Sequence, residues 1–286
     1  MSWKTRMNEK IIQKDSCLVV GLDPIPSYFP EALPGGSIPE KIVHFNRMVI
    51  DAVADQCVAV KPQSAYYEIY GSQGILALEK TIAYAKQKGL LVILDAKRGD
   101  IGSTCEAYAK AYLEEGPLSV DALTVHPYLG RDGLLPFIHQ AKAHEKGIFV
   151  LVKTSNPSSG DLQDLELPDH QLVYQKIARM LAELDDGQVV GAVVGGTYPQ
   201  AAQQVRQQLP ETCFLVPGYG AQGARGKDLT GFYDAQGFGA LISASRSILY
   251  PAYGSKEDLT KRSLKDYGYL VREAALQAKQ DINAYR

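Results

Sequence analysis

The residues with the clearest chemical potential are an aspartate and a lysine two positions apart, Asp95 and Lys97, followed by a second aspartate, Asp100. They end a short apolar run, and on a strand side chains two positions apart point to the same face. Acidic neighbours favour the protonated form of a lysine. Lys97 is therefore predicted to be a proton donor or a fixed cation, and not a Schiff-base nucleophile, which must lose its proton.

A second lysine, Lys61, ends the preceding apolar run and extends the pattern to Lys–Asp–Lys–Asp. A purely structural role stays open for both parts of this pattern. The acidic and basic residues at 95–100 can form a structural ion-pair network at a strand end. Lys61 can be a surface lysine whose stem lies on apolar surface.

The segment Gly-Tyr-Gly-Ala-Gln-Gly at 218–223 has the spacing G-x-G-x-x-G. It makes a poor dinucleotide site, because no clear helix follows it and no acidic residue ends a strand about 20 residues later. It suits phosphate better, since glycines let backbone N–H groups approach an anion and Arg246 offers a bidentate guanidinium. Arg225 and Lys227 lie within 218–237, which we expect to close as a lid. A solvated loop without function is the alternative.

Several function classes are disfavoured by composition and missing motifs. Lys and Arg number 30 against 32 Asp and Glu, for a net charge of −2, which argues against nucleic-acid binding. The longest apolar runs have five residues, whereas a membrane span needs about 20. No secretory signal is visible, and the four scattered cysteines fit a reducing cytoplasm. No metal-ligand spacing of His or Cys and no Gly-x-Ser-x-Gly occur.

Eight short apolar runs alternate with segments of helical spacing. The runs are nearly continuous, which is typical of parallel strands covered on both faces. Strand–helix alternation predicts right-handed βαβ units. Eight such units predict an α/β protein with a (β/α)8 TIM barrel, and an open doubly wound sheet is the alternative. The predicted strands are 17–22, 57–61, 90–95, 122–126, 148–153, 189–195, 213–217 and 239–244.

Helical spacing covers 39–56, 75–88, 103–114 and 170–184. Ser103 with Glu106 is typical of a capping box, and Gly89 after a basic last turn is typical of a helix end. Residues 2–14 are predicted to form an extra N-terminal helix at the barrel base, and 258–283 the eighth outer helix. No domain boundary is visible, so 1–286 is expected to be one domain.

Polar residues collect where the predicted strands end. In a barrel these carboxyl ends share one face, and that face holds the active site. His126 is expected to line this mouth as well. The other polar positions at strand ends include Asp23, Lys61, Asp95, Lys97, Ser155 and Arg246.

The sequence resembles the orotidine 5′-phosphate decarboxylase family, in particular its longer bacterial subgroup, over almost the whole chain. The matching motifs occur in the family's order: Gly-Leu-Asp-Pro at 21–24, Lys-Pro at 61–62, Asp-Ala-Lys-Arg-Gly-Asp-Ile-Gly-Ser-Thr at 95–104, Thr-Ser-Asn-Pro at 154–157, Pro-Gly-Tyr-Gly-Ala-Gln-Gly at 217–223 and Ser-Arg at 245–246. The resemblance implies an enzyme of pyrimidine biosynthesis. It would convert orotidine monophosphate to uridine monophosphate and CO2, with neither metal nor organic cofactor.

The resemblance also implies roles for the matched residues. The catalytic tetrad would be Lys61, Asp95, Lys97 and Asp100, with Lys97 as the proton donor. The chain would form a homodimer in which Asp100 and Thr104 reach into the partner's site, near the ribose.

Four further residues would bind the rest of the substrate. Asp23 would hold the ribose hydroxyls, and Ser155 the amide edge of the pyrimidine. Gln222 and Arg246 would hold the phosphate.

Two other functions stay open. One is a related magnesium-dependent decarboxylase or synthase that acts on a linear sugar phosphate and has the same Asp-x-Lys-x-x-Asp motif. The other is a catalytically silent sensor of a phosphate ligand. A complete Lys–Asp–Lys–Asp set argues against the sensor, because a protein that only binds gains nothing from acids beside an acidic ligand.

Overall fold

The computed structural model describes residues 1–185, 187–251 and 256–286, with only the backbone described for 256 and 257. Eight parallel strands form a closed barrel in which each strand pairs with its neighbours in sequence and β1 pairs with β8. This confirms the predicted (β/α)8 barrel and rules out the open sheet. The strands are β1 Leu18–Leu22, β2 Ala59–Pro62, β3 Leu91–Arg98, β4 Ala122–Val125, β5 Gly147–Lys153, β6 Val190–Val194, β7 Phe214–Pro217 and β8 Ala240–Ala244.

Helices surround the barrel and follow the predicted alternation. Short 3-10 helices at 26–28, 157–159, 226–228 and 230–232 supplement them. The α-helices are α1 Trp3–Lys14, α2 Ile38–Val53, α3 Ala65–Glu68, α4 Gly71–Gln87, α5 Gly102–Leu113, α6 Leu135–Ala143, α7 Gly160–Gln163, α8 Val173–Leu184, α9 Pro199–Gln208, α10 Arg246–Leu249, α11 Lys256–Thr260 and α12 Leu264–Asn283.

The predicted helix ends are partly right. Gly89 ends α4 as expected: its φ is +74° and its N–H donates to the carbonyl of Lys86. The capping box of Ser103 is wrong, because α5 already begins at Gly102 and no side chain caps it.

The single C-terminal helix expected over 258–283 is also wrong. Two helices, α11 and α12, lie in this region. The hydroxyl of Ser263 accepts the N–H of Asp266 at 3.1 Å and caps the start of α12. A serine in this role favours a new helix start over a continuous helix.

The N-terminal helix α1 covers the amino-terminal ends of β4 and β5. Its buried side chain Trp3 packs edge-on against Phe149, with ring centroids 6.3 Å apart. A Cβ at Gly147 would lie 2.5 Å from the Trp3 ring nitrogen, so only glycine permits this contact. Arg6 adds an ion pair with Asp121 at 3.2 Å. The helix thus lies at the barrel base, as predicted.

The second half of the segment after β7 is packed, so the lid expected over 218–237 is limited to the first half of this segment. Its side chains Leu229 and Phe232 are fully buried. The N–H of Gly226 donates to the carboxylate of Asp281 on α12 at 2.9 Å. Apolar burial therefore fixes the second half of this segment to the outer helices.

The helices of the described residues include no candidate membrane span. Within residues 1–185, 187–251 and 256–286, no helix combines the length and apolar character that crossing a bilayer requires.

We expect α1 and the barrel to unfold together, because Trp3 of α1 is packed into the barrel base. Trp3 is the only tryptophan of the chain, so its fluorescence reports on this contact. Urea unfolding followed by Trp3 fluorescence and by far-UV circular dichroism should give coincident transitions. Met7→Ala removes a side chain that is 1% exposed. It should lower both midpoints and reduce the free energy of unfolding by about 2–5 kcal/mol. Ile12 lies on the same helix but is 67% exposed, so the control Ile12→Ala should change neither midpoint. A fluorescence transition that precedes the circular dichroism transition would contradict a single unit.

Candidate active site

A cavity of about 660 Å³ lies where the strands end, on the face opposite α1. It collects most of the residues that the sequence predicts to be functional. Those that line it are Asp23, Lys61, Asp95, Lys97, Ser155, Gln222 and Arg246. Asp100, Thr104 and His126 do not line it.

At the bottom of this cavity two ammonium groups share one carboxylate. Lys61 Nζ donates to Oδ2 of Asp95 at 2.8 Å, and Lys97 Nζ donates to Oδ1 at 2.6 Å. Lys61 is only 5% exposed, which excludes the surface-lysine interpretation. The side chain of Lys97 is 45% exposed, so its ammonium group is accessible from the cavity.

The charges of this cluster stabilise one another. Burial disfavours the charge of Lys61, but the carboxylates of Asp95 and Asp23 outweigh burial and raise its pKa. Burial likewise disfavours the charge of Asp95, but the two lysines hold its pKa well below the usual range. At neutral pH Asp95 is therefore a carboxylate and Lys61 an ammonium.

Lys97 reaches the cavity by a different backbone path from the one predicted. The pairing of β3 with β4 shifts register between Leu94 and Arg98, and Lys97 has a left-handed φ of +48°. Simple alternation along a strand therefore does not orient this side chain. The bulge turns Lys97 so that its ammonium group meets Asp95.

A threonine on the neighbouring strand, Thr124, contacts this bulge and was not predicted as a site residue. Its hydroxyl accepts the N–H of Ala96 at 3.0 Å and the N–H of Lys97 at 2.9 Å, and it donates to Asp95 Oδ1 at 3.0 Å. Thr124 also lines the cavity.

Asp100 does not join the other three tetrad residues within the chain. Its carboxylate accepts the N–H of Ile101 at 2.8 Å, and the described residues contain no hydrogen bond or ion pair between Asp100 and Lys97. Thr104, on α5, is exposed. Both residues lie outside the cavity of their own chain. His126 instead packs beside Gly99, where a Cβ would come within 2.3 Å of its ring.

Asp23, at the end of β1, has an unused acceptor. Its side-chain Oδ1 is buried and has no hydrogen-bond partner, and the residue lines the cavity. A buried carboxylate oxygen without a donor is costly. A hydroxyl of a bound ligand would satisfy it.

The loop after β5 is folded back over the cavity rim. Lys153 is buried and donates to Asp164 at 2.6 Å. Gln163 receives the N–H of Thr154 at 2.9 Å and also lines the cavity next to Ser155. Sequence reasoning did not find Gln163, because only the fold brings 163 back to 154.

The opposite rim carries Gln222 and Arg246, the pair predicted for phosphate. Gly218 has a φ of +112°, and a Cβ there would lie 3.2 Å from the Gln222 side-chain oxygen, so glycine permits this close approach. Arg225 lines a different cavity, and Lys227 lines neither. These two residues therefore do not face Lys61, Asp95 and Lys97 in this structure.

Over the part of the chain that the structure describes, no three His, Cys, Asp or Glu side chains are grouped closely enough to hold a metal ion.

We predict that Asp95→Asn leaves Lys61 buried without its main counter-charge and lowers stability by about 3 kcal/mol at neutral pH. In the wild type the pKa of Lys61 is raised, so stability falls as the pH rises through that pKa. In Asp95→Asn the pKa of Lys61 should drop below its value in the unfolded chain, so stability should rise with pH. Urea titrations from pH 7 to 12 measure both slopes.

The double variant Lys61→Met/Asp95→Asn is the control for this prediction, because it removes the buried charge and should recover most of the lost stability. Slopes of the same sign in the wild type and in Asp95→Asn would contradict the proposed charge balance.

Comparison with known proteins places the chain in a family. The family model described as "Orotidine 5'-phosphate decarboxylase / HUMPS family" matches residues 17–257. Proteins named orotidine 5'-phosphate decarboxylase are 40% identical over 99% of both chains in Rhodopirellula baltica, and 40% identical over the full length of both in Haloarcula marismortui.

A solved structure agrees with these sequence matches. The OMP decarboxylase of Leishmania donovani superposes with a TM-score of 0.80 at 32% identity, over 100% of this chain and 98% of the other. The protein therefore belongs to the orotidine 5'-phosphate decarboxylase / HUMPS family.

Proposed function

We propose that this protein is an orotidine 5′-phosphate decarboxylase of pyrimidine biosynthesis. It converts orotidine monophosphate to uridine monophosphate and CO2 without metal or organic cofactor, and Lys97 donates the proton to the product. One observation carries the proposal: the Lys97 ammonium group is held at 2.6 Å by Asp95 and is accessible within a closed-barrel cavity.

The chemistry needs a cation at one position. Loss of CO2 from C6 of the pyrimidine leaves an electron pair in a carbon orbital, with no cofactor to accept it. A fixed ammonium group stabilises this developing negative charge and then transfers a proton to the same carbon. Asp95 and Lys61 keep Lys97 oriented, and Asp95 takes no part in the proton transfer.

The cavity rim offers partners for the remaining parts of the nucleotide. The unpaired Asp23 oxygen suits a ribose hydroxyl. Ser155, beside Gln163, suits the amide edge of the pyrimidine, and Gln222 with Arg246 suits the phosphate. Binding energy from the phosphate then orients the distant reacting carbon.

We further propose a homodimer in which Asp100 and Thr104 complete the partner's site. Asp100 does not reach Lys97 of its own chain, so the tetrad is incomplete without a second copy. Exposed apolar side chains lie near Asp100: Ile101, its neighbour in the chain, is 56% exposed, and Leu129, which is 39% exposed, approaches Gly133 together with Asp100. Such a surface suits contact with another protein chain.

The proposed location is the cytoplasm. All four cysteines are unpaired and buried in the structure, which suits a reducing compartment.

Purified protein treated exhaustively with chelator should decarboxylate orotidine monophosphate, followed as the loss of orotate absorbance. Lys97→Ala should keep its circular dichroism spectrum and lose nearly all turnover, because it removes both the charge and the proton. No turnover by the wild type would reject the proposal. Turnover that requires added magnesium would support the sugar-phosphate alternative, and tight binding of uridine monophosphate with no turnover would support the sensor.

Mixed dimers test the shared site. Lys97→Ala and Asp100→Ala homodimers should each be inactive, whereas a heterodimer of the two should regain one intact site and about half of the wild-type activity. Differently tagged chains, co-expressed and purified through both tags, provide the heterodimer. Confirmed heterodimers without recovered activity would contradict the shared site.

A further inference from the structure

The hydroxyl of Thr124 makes three hydrogen bonds at the position where Lys97 leaves β3. Thr124 is 1% exposed. Its oxygen accepts two backbone N–H groups, from Ala96 and Lys97, and its proton goes to Asp95 Oδ1. A hydroxyl has one proton and two lone pairs, so this environment uses its full hydrogen-bonding capacity.

These bonds compensate for the break in the strand pairing. The register of β3 against β4 shifts between Leu94 and Arg98, so the N–H groups of residues 96 and 97 lack regular partners on β4. Lys97 also has a φ of +48°, which costs a residue other than glycine about 1–2 kcal/mol. Thr124 supplies the acceptor for both N–H groups and thereby favours this backbone conformation.

The same hydroxyl also orients the carboxylate. Oδ1 of Asp95 receives both the Thr124 proton at 3.0 Å and the Lys97 ammonium at 2.6 Å. Oδ2 receives Lys61 at 2.8 Å. Thr124 is thus bonded to the backbone of Lys97 and to the counter-ion of its side chain.

We infer that Thr124 is a positioning residue for the Lys97 side chain. It holds the left-handed backbone of Lys97 at one end and Asp95, the partner of the ammonium group, at the other. The inference rests on the proposed function, in which Lys97 is the proton donor. Thr124 itself transfers no proton to the substrate. Its hydroxyl determines where the ammonium group stands relative to the reacting carbon.

Thr124→Val tests this because valine keeps the shape of threonine and removes all three hydrogen bonds. We expect kcat for orotidine monophosphate to fall about a hundredfold, the order of loss that a 1 Å misplacement causes. The Kd for uridine monophosphate should stay unchanged, because Asp23, Gln222 and Arg246 are untouched. Thr124→Ser restores the hydroxyl and should recover most of kcat.

Thr81→Val is the matched control. Thr81 is also 1% exposed, and its hydroxyl bonds to Asn46 and to the carbonyl of Ala77, outside the cavity. Losing this hydroxyl should lower the thermal midpoint and leave kcat unchanged. The comparison separates general loss of a buried hydroxyl from a specific effect on Lys97.

Two results for Thr124→Val would overturn the inference. One is a folded Thr124→Val enzyme with the kcat of the wild type. The other is a Thr124→Val enzyme whose affinity for uridine monophosphate falls as much as its kcat. If valine prevents folding, Thr124→Ala is measured in the same way, and the serine variant must then exceed it in kcat. A wild-type enzyme without turnover would reject the proposed function instead, and is distinguished by the chelator assay.

Discussion

Two ammonium groups bind the single carboxylate of Asp95, one at each oxygen, and the candidate site is arranged around this contact. Removing Lys61 from water is unfavourable, and only a charged partner within hydrogen-bond distance makes it tolerable. The three groups together carry one net positive charge. A fixed ammonium group at the base of such a site stabilises negative charge that forms on carbon.

The barrel makes this arrangement rigid because its members lie on three adjacent strands. Lys61 is on β2, Asp95 and Lys97 are on β3, and Thr124 is on β4. Closed strand pairing holds these strands at fixed separations, and the buried core beneath them leaves little room for adjustment. The loops after β5 and β7 add Ser155, Gln163 and Gln222 at the rim, where variation in sequence does not disturb the core.

The sequence allowed the barrel and its eight strands to be predicted, because each strand is a short apolar run that ends in a polar group. It also brought Asp23, Lys61, Asp95 and Lys97 to one face, since parallel strands place their carboxyl ends together. It failed where contacts depend on the folded backbone. The bulge at Lys97 leaves no trace in the residue types, and Thr124 reads as an ordinary strand residue. The lid was predicted to extend too far along the segment after β7, because its glycines and charges conceal the burial of Leu229 and Phe232.

The central claim is that the Lys97 ammonium group faces the carbon that loses CO2. A crystal structure of the dimer with a nucleotide inhibitor tests it most directly, through the distance from Lys97 Nζ to C6 of the bound base. The account predicts a separation of about 3–3.5 Å, the range for reacting atoms, with Asp95 still bonded to Lys97. A base bound with C6 turned away from Lys97, or an ammonium group displaced out of the cavity, would contradict it.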